Sequence, residues 1–248
     1  RQLVARGRSG HGSMPYGADN AAVLAAEAVL RLTRHRTTPV ISALWRQYVT
    51  AHGFPDDVTA RLLAPESLDD ELQSFGTAAR YAHAVSHLTI APTVLRAGHK
   101  GNVIPGSAVV GLDVRLLPGQ DGNAADAEIA AALGDLAGRI ETEGSLYRTG
   151  SQSPASGPLF DAVERAVRRR FPRSRLLPAL TGGGTDARWI RDQGGTAYGF
   201  GLFSAGWGVG EYRSIFHGDD EHIDLASLEL TTSALADVVH DFLGGHAG

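Results

Sequence analysis

The sequence predicts a chain of two parts, an α+β sandwich in residues 1–148 and an α/β segment in residues 149–248. Three observations lead to this fold class. In the first part, strand and helix periodicities follow one another in the order strand, helix, strand, strand, helix, strand. A stretch rich in Gly, Ser and Pro at residues 150–157 is typical of a linker. Beyond it, short apolar runs alternate with helices, as in a layer of parallel strands.

The first part opens with a predicted strand at Leu3 to Arg8, followed by a glycine-rich loop at residues 9–15. Asp19 or Asn20 then caps a helix with one apolar face. From about residue 37 to residue 87 the apolar side chains repeat at helical spacing. This helical excursion interrupts the strand pattern, and we interpret it as an insertion.

Two strands, a helix and a last strand complete the first part. Leu88 to Arg96 has strand character, and residues 110–116 alternate so regularly that Arg115 falls on the face opposite the apolar side chains. A helix at about 129–140 and a strand to about Tyr147 follow. With the excursion set aside, this order is that of the ferredoxin-like sandwich, in which two helices cover one face of a sheet.

The second part begins with a helix that Pro158 starts. Its predicted buried stripe comprises Phe160, Val163, Val167 and Phe171, and its four arginines, at 165 and 168–170, are predicted to be solvated. Further helices are predicted at 186–192 and 225–242, and strands at 176–180 and 196–200. Because two strands leave edges that other strands normally cover, we expect half of this α/β domain to be missing from the sequence.

Composition narrows the possible chemistry. The formal net charge of the 248-residue chain is −4, which favours neither a nucleic-acid backbone nor an anionic membrane as a partner. Apolar runs stay well short of the roughly 20 residues of a membrane span. The expected location is the cytoplasm, and the absence of Cys fits any compartment. The chain has no Cys, so any metal must be held by His, Asp and Glu.

A first candidate site is the stretch from Phe216 to Ile223, which holds five ionisable side chains just before a helix. His217 can offer a neutral imidazole to a divalent metal. The alternative is a helix N-terminus, at which the acidic residues 219–221 complement the helix dipole and Asp224 caps the first turn.

A second candidate is the glycine loop at Gly182 to Thr185. Backbone N–H groups at a helix N-terminus favour an anion such as phosphate, although a P-loop would carry a Lys after its last Gly. The alternative is a tight turn between strand and helix, with Thr185 or Asp186 as the helix cap.

Three further residues also allow simple structural interpretations. His11, which lies between two glycines, suits an exposed imidazole on a loop. Asn102 precedes the Ile104-Pro105 turn and suits a turn residue bonded to its own backbone. Arg115 suits an exposed ion pair with Asp113 or with a carboxylate across the sheet, which would contribute little to stability.

The order of these motifs is more informative than each motif alone. The motifs are Gly10-His11-Gly12-Ser13-x-Pro15, Asn102-Val103-Ile104-Pro105 with Arg115 thirteen residues after Asn102, Gly183-Gly184-Thr185-Asp186-Ala187-Arg188, and His217 with Glu221. In this order they resemble the dinuclear zinc peptidase family that includes aminoacylase, acetylornithine deacetylase, succinyl-diaminopimelate desuccinylase and glutamate carboxypeptidases. The resemblance covers nearly the whole chain.

The resemblance implies both an architecture and a reaction. Residues 1–148 would form a ferredoxin-like lid and dimerisation domain with a helical insertion at about 37–87, and residues 149–248 the C-terminal portion of a zinc-peptidase α/β domain. The implied reaction is metal-dependent hydrolysis of amide or peptide bonds, of the peptidase, carboxypeptidase or N-acyl-amino-acid deacylase type. The implied assembly is a homodimer joined through the lid.

The resemblance also assigns roles to individual residues. His217 would be the one ligand that the second segment supplies to a pair of zinc ions. His11 would be catalytic, reaching across the dimer to stabilise the oxyanion in the neighbouring active site. Substrate binding would fall to Asn102, to the Gly184-Thr185 backbone, and to Arg115 as a clamp for the free carboxylate of an N-acyl amino acid or a peptide.

The sequence departs from the family at the metal site. The family's first segment carries a His-x-Asp motif, a bridging Asp, a Glu-Glu pair and one more acidic ligand, whereas no His, Asp or Glu precedes His11. One ligand stands where five are expected, so we predict that the chain as given is an inactive fragment that begins inside a fold. The alternatives are a non-catalytic dimerisation or binding module of this family, and a phosphate-binding protein that uses the Gly182 to Thr185 loop.

Overall fold

The computed structural model describes residues 1–144, 149–208, 211, 215 and 219–244. The chain divides into two compact units, one made of Arg1–Val40 and Ser86–Gly150, the other of Ile41–Val85 and Ser151–Gly248. The predicted helical excursion therefore groups with the C-terminal residues. The assignment of residues 1–148 to a lid and of 149–248 to a catalytic segment stays a prediction.

Strands occur in the first unit and helices in both units. The strands are β1 (Gln2–Arg6), β2 (Gly10–His11), β3 (Thr89–Ala97), β4 (Val103–Ile104), β5 (Ser107–Arg115) and β6 (Ile140–Glu143). The helices are α1 (Ala21–Arg34), α2 (Ala43–His52), α3 (Asp56–Leu62), α4 (Pro65–Leu72), α5 (Ala79–Ser86), α6 (Gly122–Leu133), α7 (Pro158–Arg170), α8 (Ala187–Asp192) and α9 (Leu225–Gly244). Two 3-10 helices, Gln73–Ala78 and Gly134–Arg139, follow α4 and α6.

The first unit is a four-stranded antiparallel sheet with strand order β3-β5-β1-β6, together with a separate ribbon of β2 and β4. Helices α1 and α6 pack on the sheet through one shared apolar core. The buried side chains of this core are Leu3, Ala5, Ala21, Leu24, Ala25, Ala28, Leu32, Ala108, Val110, Leu112, Ile129, Leu133 and Ile140. The strand order and the two helices on one face confirm the ferredoxin-like prediction.

Polar side chains cap both helices of the first unit, at Asn20 as the sequence predicts and at Asp121, which the sequence analysis does not identify as a cap. The Asn20 side chain accepts a hydrogen bond from the Ala22 N–H at 2.9 Å, and Asp121 accepts from the N–H groups of Asn123 and Ala124. The expected helix at 129–140 is wrong at both ends, because α6 begins at Gly122 and ends at Leu133. Gly134, with φ of 56°, ends α6, and Ile140 lies in β6.

The helical excursion forms an aromatic and aliphatic cluster within the second unit. Trp45 and Leu62 are fully buried in it, and the Trp45 Nε1–H donates to the Leu62 carbonyl oxygen at 2.8 Å. Phe54 and Phe75 stack at its margin, with ring centroids 5.5 Å apart. The buried side chains and this hydrogen bond stabilise the helices of a segment for which the sequence shows only helical periodicity.

Helices α7 and α9 pack against each other in the second unit, and two details differ from the prediction. The stripe is completed by Ala162 and Ala166 rather than by Phe171, which lies beyond α7 and is exposed. The arginines are not simply solvated, because Arg170 donates to Asp237 on α9 at 2.7 Å and its side chain is only 17% exposed. The other arginines of α7 also form ion pairs: Arg165 and Arg169 with Asp241, and Arg168 with Glu164.

The predicted strands at 176–180 and 196–200 are wrong for this structure, in which both segments are irregular. A strand needs a hydrogen-bonded neighbour, and sequence periodicity does not supply one. Leu176 and Phe200 instead pack on the core between α7 and α9. Among the described residues, no helix has the length and the apolar character needed to cross a membrane.

Candidate functional site

The ribbon of β2 and β4 brings two of the predicted site residues together. Gly10 pairs with Ile104 and His11 with Val103, and the Gly12 N–H donates to the Asn102 carbonyl oxygen at 2.8 Å. Asn102 occupies a tight turn closed by the Val103 N–H and the Lys100 carbonyl oxygen, 3.2 Å apart. The imidazole of His11 and the amide of Asn102 therefore project from adjoining backbone segments, and both residues are exposed.

A glycine makes this approach possible. A Cβ at position 12 would lie 3.1 Å from the carbonyl carbon of Asn102 and 3.2 Å from its Cα and its oxygen. A Cβ at Gly10 would meet only the Ile104 side chain, at an ordinary contact of 3.7 Å. The two glycines that flank His11 thus differ, because only Gly12 is required by the packing of the ribbon.

The chain turns sharply after His11. The Met14 N–H donates to the His11 carbonyl oxygen at 3.0 Å, which closes a four-residue turn. Within this turn the Ser13 N–H lies 3.2 Å from His11 Nδ1, and the Ser13 Oγ lies 2.7 Å from the same nitrogen. The orientation of the imidazole is therefore set by the residue two positions later.

Arg115 lies at the other end of the first unit. It is the last residue of β5. At the usual rise per strand residue it lies roughly 27 Å from Ser107, the first residue of that strand. Its side chain is on the face of the sheet opposite the helices, as predicted. Its guanidinium contacts the Asp113 carboxylate twice, Nε to Oδ1 at 2.6 Å and Nη2 to Oδ2 at 2.7 Å. Within the first unit, the structure does not bring Arg115 together with His11 and Asn102.

Gly184 and Thr185 lie in an irregular loop before α8, in the second unit. The Arg188 N–H donates to the Thr185 carbonyl oxygen at 3.3 Å, and Asp186 precedes the helix without a side-chain cap hydrogen bond. A Cβ at Gly182 or Gly184 would meet nothing within 4 Å, so close packing does not require these glycines here. With only six residues, α8 is also a weak source of helix dipole for a phosphate.

His217 lies outside the described residues, so its predicted role as a metal ligand stays a prediction. The acidic residues 219–221 precede α9 by more than one turn and are exposed. Asp224 is the cap, as expected, since it accepts from the Ser227 N–H at 2.8 Å. Hydrogen bonds from the Ser227 hydroxyl and N–H, and from the Trp207 indole, lower the pKa of Asp224 to about 2.

Sequence reasoning found the residues that carry the motifs but missed their partners. Ser13 belongs to the motif that contains His11, and its position two residues after a histidine in a glycine turn is a signal for a hydrogen bond to the imidazole. Trp207, which reaches the Asp224 carboxylate from a distant loop, gave no sequence signal at all.

Comparison with known proteins gives both a family and a fold. Residues 2–141 match the M20 peptidase dimerisation domain, while no curated protein sequence matches the chain. Similar solved structures include an M20 family metallo-carboxypeptidase from Sulfolobus solfataricus, with 15% identity and a TM-score of 0.60 over 98% of this chain and 56% of that one. The di-peptidase Dug1p from Saccharomyces cerevisiae has 13% identity and a TM-score of 0.59 over 97% and 53%.

A third similar structure is the aminopeptidase PepT from Bacillus cereus, with 15% identity and a TM-score of 0.55 over 98% of this chain and 51% of that one. Identities this low support a shared fold and no more. The chain therefore spans little more than half the length of the solved structures that it resembles.

Proposed function

The chain belongs to the M20 peptidase dimerisation domain family, and from this we propose that its full-length form is a metal-dependent hydrolase of amide or peptide bonds. The observation that carries the proposal is the ribbon in which β2 and β4 hold His11 beside Asn102. Both residues have active-site roles in the family resemblance, and they lie 91 positions apart in the sequence. A cytoplasmic location stays a prediction from the sequence.

The side chains suit the proposed reaction on a small substrate with a free carboxylate. His11 would donate a hydrogen bond to the carbonyl oxygen as negative charge develops there, a contact worth roughly 3 kcal/mol of activation free energy. Arg115 would bind the substrate carboxylate through the donors that Asp113 leaves available. Asn102 and the backbone at Gly184 and Thr185 would complete the binding of the substrate.

Zinc is the proposed cofactor, two ions for each full-length subunit, with His217 as the ligand from this chain. Bound zinc would supply a water whose pKa is about 7, which makes hydroxide available at neutral pH. We expect weak, sub-stoichiometric zinc binding by this chain, abolished by His217→Ala and retained by His99→Ala. Two tightly bound zinc ions in a calorimetric titration of this chain would contradict the ligand assignment.

The remaining ligands are proposed to come from a strand-rich segment encoded before Arg1. Apolar side chains on α9 support this, since Leu225, Leu228, Val239 and Leu243 are at least half exposed. The upstream reading frame provides the test, because absence of a His-x-Asp motif and a Glu-Glu pair would favour a non-catalytic binding module instead.

Catalysis by His11 is tested in the full-length protein. The His11→Ala variant should lower turnover of N-acyl amino acids or dipeptides without changing the zinc content, whereas His99→Ala, which removes an exposed imidazole from the neighbouring loop, should leave turnover unchanged. Mixing His11→Ala subunits with His217→Ala subunits should restore part of the activity if His11 acts in the partner's site. No recovery would show that it does not.

A homodimer through the lid is the proposed assembly. Strand β3 is a nine-residue edge strand, and Leu95 on it is 53% exposed. An exposed apolar edge of this length favours pairing with another chain. In the 248-residue chain, the Leu95→Glu variant should sediment as a monomer, while Leu228→Glu, at an equally exposed leucine of α9, should keep the oligomeric state of the unsubstituted chain. A dimer that survives Leu95→Glu would place the interface elsewhere.

A further inference from the structure

The hydrogen bonds around His11 define which ring nitrogen carries the proton. A backbone N–H can only donate, so the Ser13 N–H, 3.2 Å from His11 Nδ1, requires an unprotonated acceptor at that nitrogen. The Ser13 hydroxyl, 2.7 Å from the same nitrogen, can rotate to donate as well. A neutral imidazole has one donor and one acceptor nitrogen, so the proton of His11 is on Nε2.

We propose that Ser13 is a positioning residue, which fixes His11 as the Nε2–H tautomer and directs that N–H away from the turn. Two backbone hydrogen bonds fix the turn: the Met14 N–H donates to the His11 carbonyl oxygen, and the Gly12 N–H donates to the Asn102 carbonyl oxygen. The purpose of this arrangement rests on the proposed function, since an exposed donor is what a substrate carbonyl oxygen needs. The arrangement itself does not depend on it.

A second histidine provides a contrast within the same chain. His222 Nδ1 lies 2.6 Å from the Asp220 carbonyl oxygen, which can only accept. The proton of His222 is therefore on Nδ1, and its Nε2 presents a lone pair. The structure thus holds the neutral rings of His11 and His222 in opposite tautomers. A single measurement of the tautomers should therefore give opposite results for the two histidines.

The test is a nitrogen-15 NMR measurement of the imidazole resonances in the 248-residue chain, at alkaline pH where both rings are neutral. We expect His11 to show a protonated Nε2 and His222 a protonated Nδ1. Because a free imidazole already has some preference between its nitrogens, the reference is the same chain unfolded in urea. Folding should raise the Nε2–H to Nδ1–H ratio of His11 about fivefold and lower that of His222.

The Ser13→Ala variant keeps the backbone N–H of residue 13 and loses the hydroxyl, so it should return the His11 ratio about halfway to the unfolded value. Ser13→Thr should restore the ratio, and neither variant should change His222. An unchanged ratio in Ser13→Ala, or a His11 ratio equal to that of the unfolded chain, would overturn the role of Ser13. In the full-length enzyme, Ser13→Ala should lower kcat more than it changes KM. If Ser13→Ala lowers the tautomer ratio while kcat stays constant, Ser13 does position His11, and the proposed catalytic role of His11 is wrong.

Discussion

The strongest prediction concerns Gly12, the residue that lets the His11 turn approach Asn102. In the Gly12→Ala variant the new methyl group would lie 3.1 Å from the Asn102 carbonyl carbon, where ordinary contact begins at 3.4 Å. The two backbone segments must therefore separate by about 3.4 − 3.1 = 0.3 Å. Forced contacts of this kind cost about 1–3 kcal/mol in a packed core, and we expect about 1 kcal/mol in this exposed ribbon.

The matched control for this variant is Gly10→Ala on the other side of His11. Its methyl group would make an ordinary 3.7 Å contact with Ile104 Cδ1, so we expect a change within about 0.5 kcal/mol. Loss of glycine flexibility in the unfolded chain affects both variants alike and cancels in the comparison. Urea unfolding measures the difference in free energy, and amide hydrogen exchange at position 12 measures the bond to Asn102.

Faster exchange at position 12 should accompany the loss of stability in Gly12→Ala, and the proposed hydrolytic turnover of the full-length protein should fall with it. Equal stability and equal exchange in Gly12→Ala and Gly10→Ala would refute the reasoning, since the close approach would then not constrain the ribbon.

Three further predictions concern stability. Ile129→Ala removes a fully buried side chain from the core of the first unit and should cost about 2–5 kcal/mol in urea unfolding, whereas a cost below 1 would mean that the core collapses around the cavity. Trp45→Phe leaves the buried Leu62 carbonyl oxygen without its 2.8 Å donor and should cost about 1–3 kcal/mol, with a smaller cost indicating that water reaches that oxygen. Because the pKa of Asp224 is lowered from 3.8 to about 2 by its hydrogen bonds to Ser227, its stabilising effect should be complete above pH 4 and lost as the pH falls towards 2. Between pH 5 and pH 3, the urea midpoint of Asp224→Asn should therefore fall less than that of the unsubstituted chain. An identical change in both midpoints would show that protonation of Asp224 does not contribute to the loss of stability.

Local signals in the sequence predicted the local features of the fold. Asn20 and Asp224 have the side chains that satisfy helix N-termini, and both act as caps. The alternation along β5 placed Val110 in the core and Arg115 on the opposite face, because successive side chains of a strand point to opposite sides. These features depend on nearest neighbours in the chain, which a sequence displays directly.

Features that depend on distant partners could not be predicted in the same way. The apolar run at 196–200 has strand composition, but a strand also needs a hydrogen-bonded neighbour, and the segment is irregular. In the candidate site, the motifs identify His11 and Asn102 separately, and only the ribbon shows that their segments pair, His11 with Val103 and Gly12 with Asn102. The ion pair between Asp113 and Arg115 is one of the pairings that the sequence predicts for Arg115, because the two residues are neighbours on one face of a strand.

The two edges of the four-stranded sheet differ, and this would limit how far the proposed assembly through the sheet can continue. Edge strand β3 has nine residues, whereas β6 at the opposite edge has four, of which Glu141 and Glu143 are acidic and exposed. Pairing of two identical β3 strands about a twofold axis consumes both long edges and leaves only short, charged ones outside. Under the proposed pairing through β3, association through this sheet would terminate at two chains, which is a self-limiting interface where a symmetric sheet would risk an open-ended fibre.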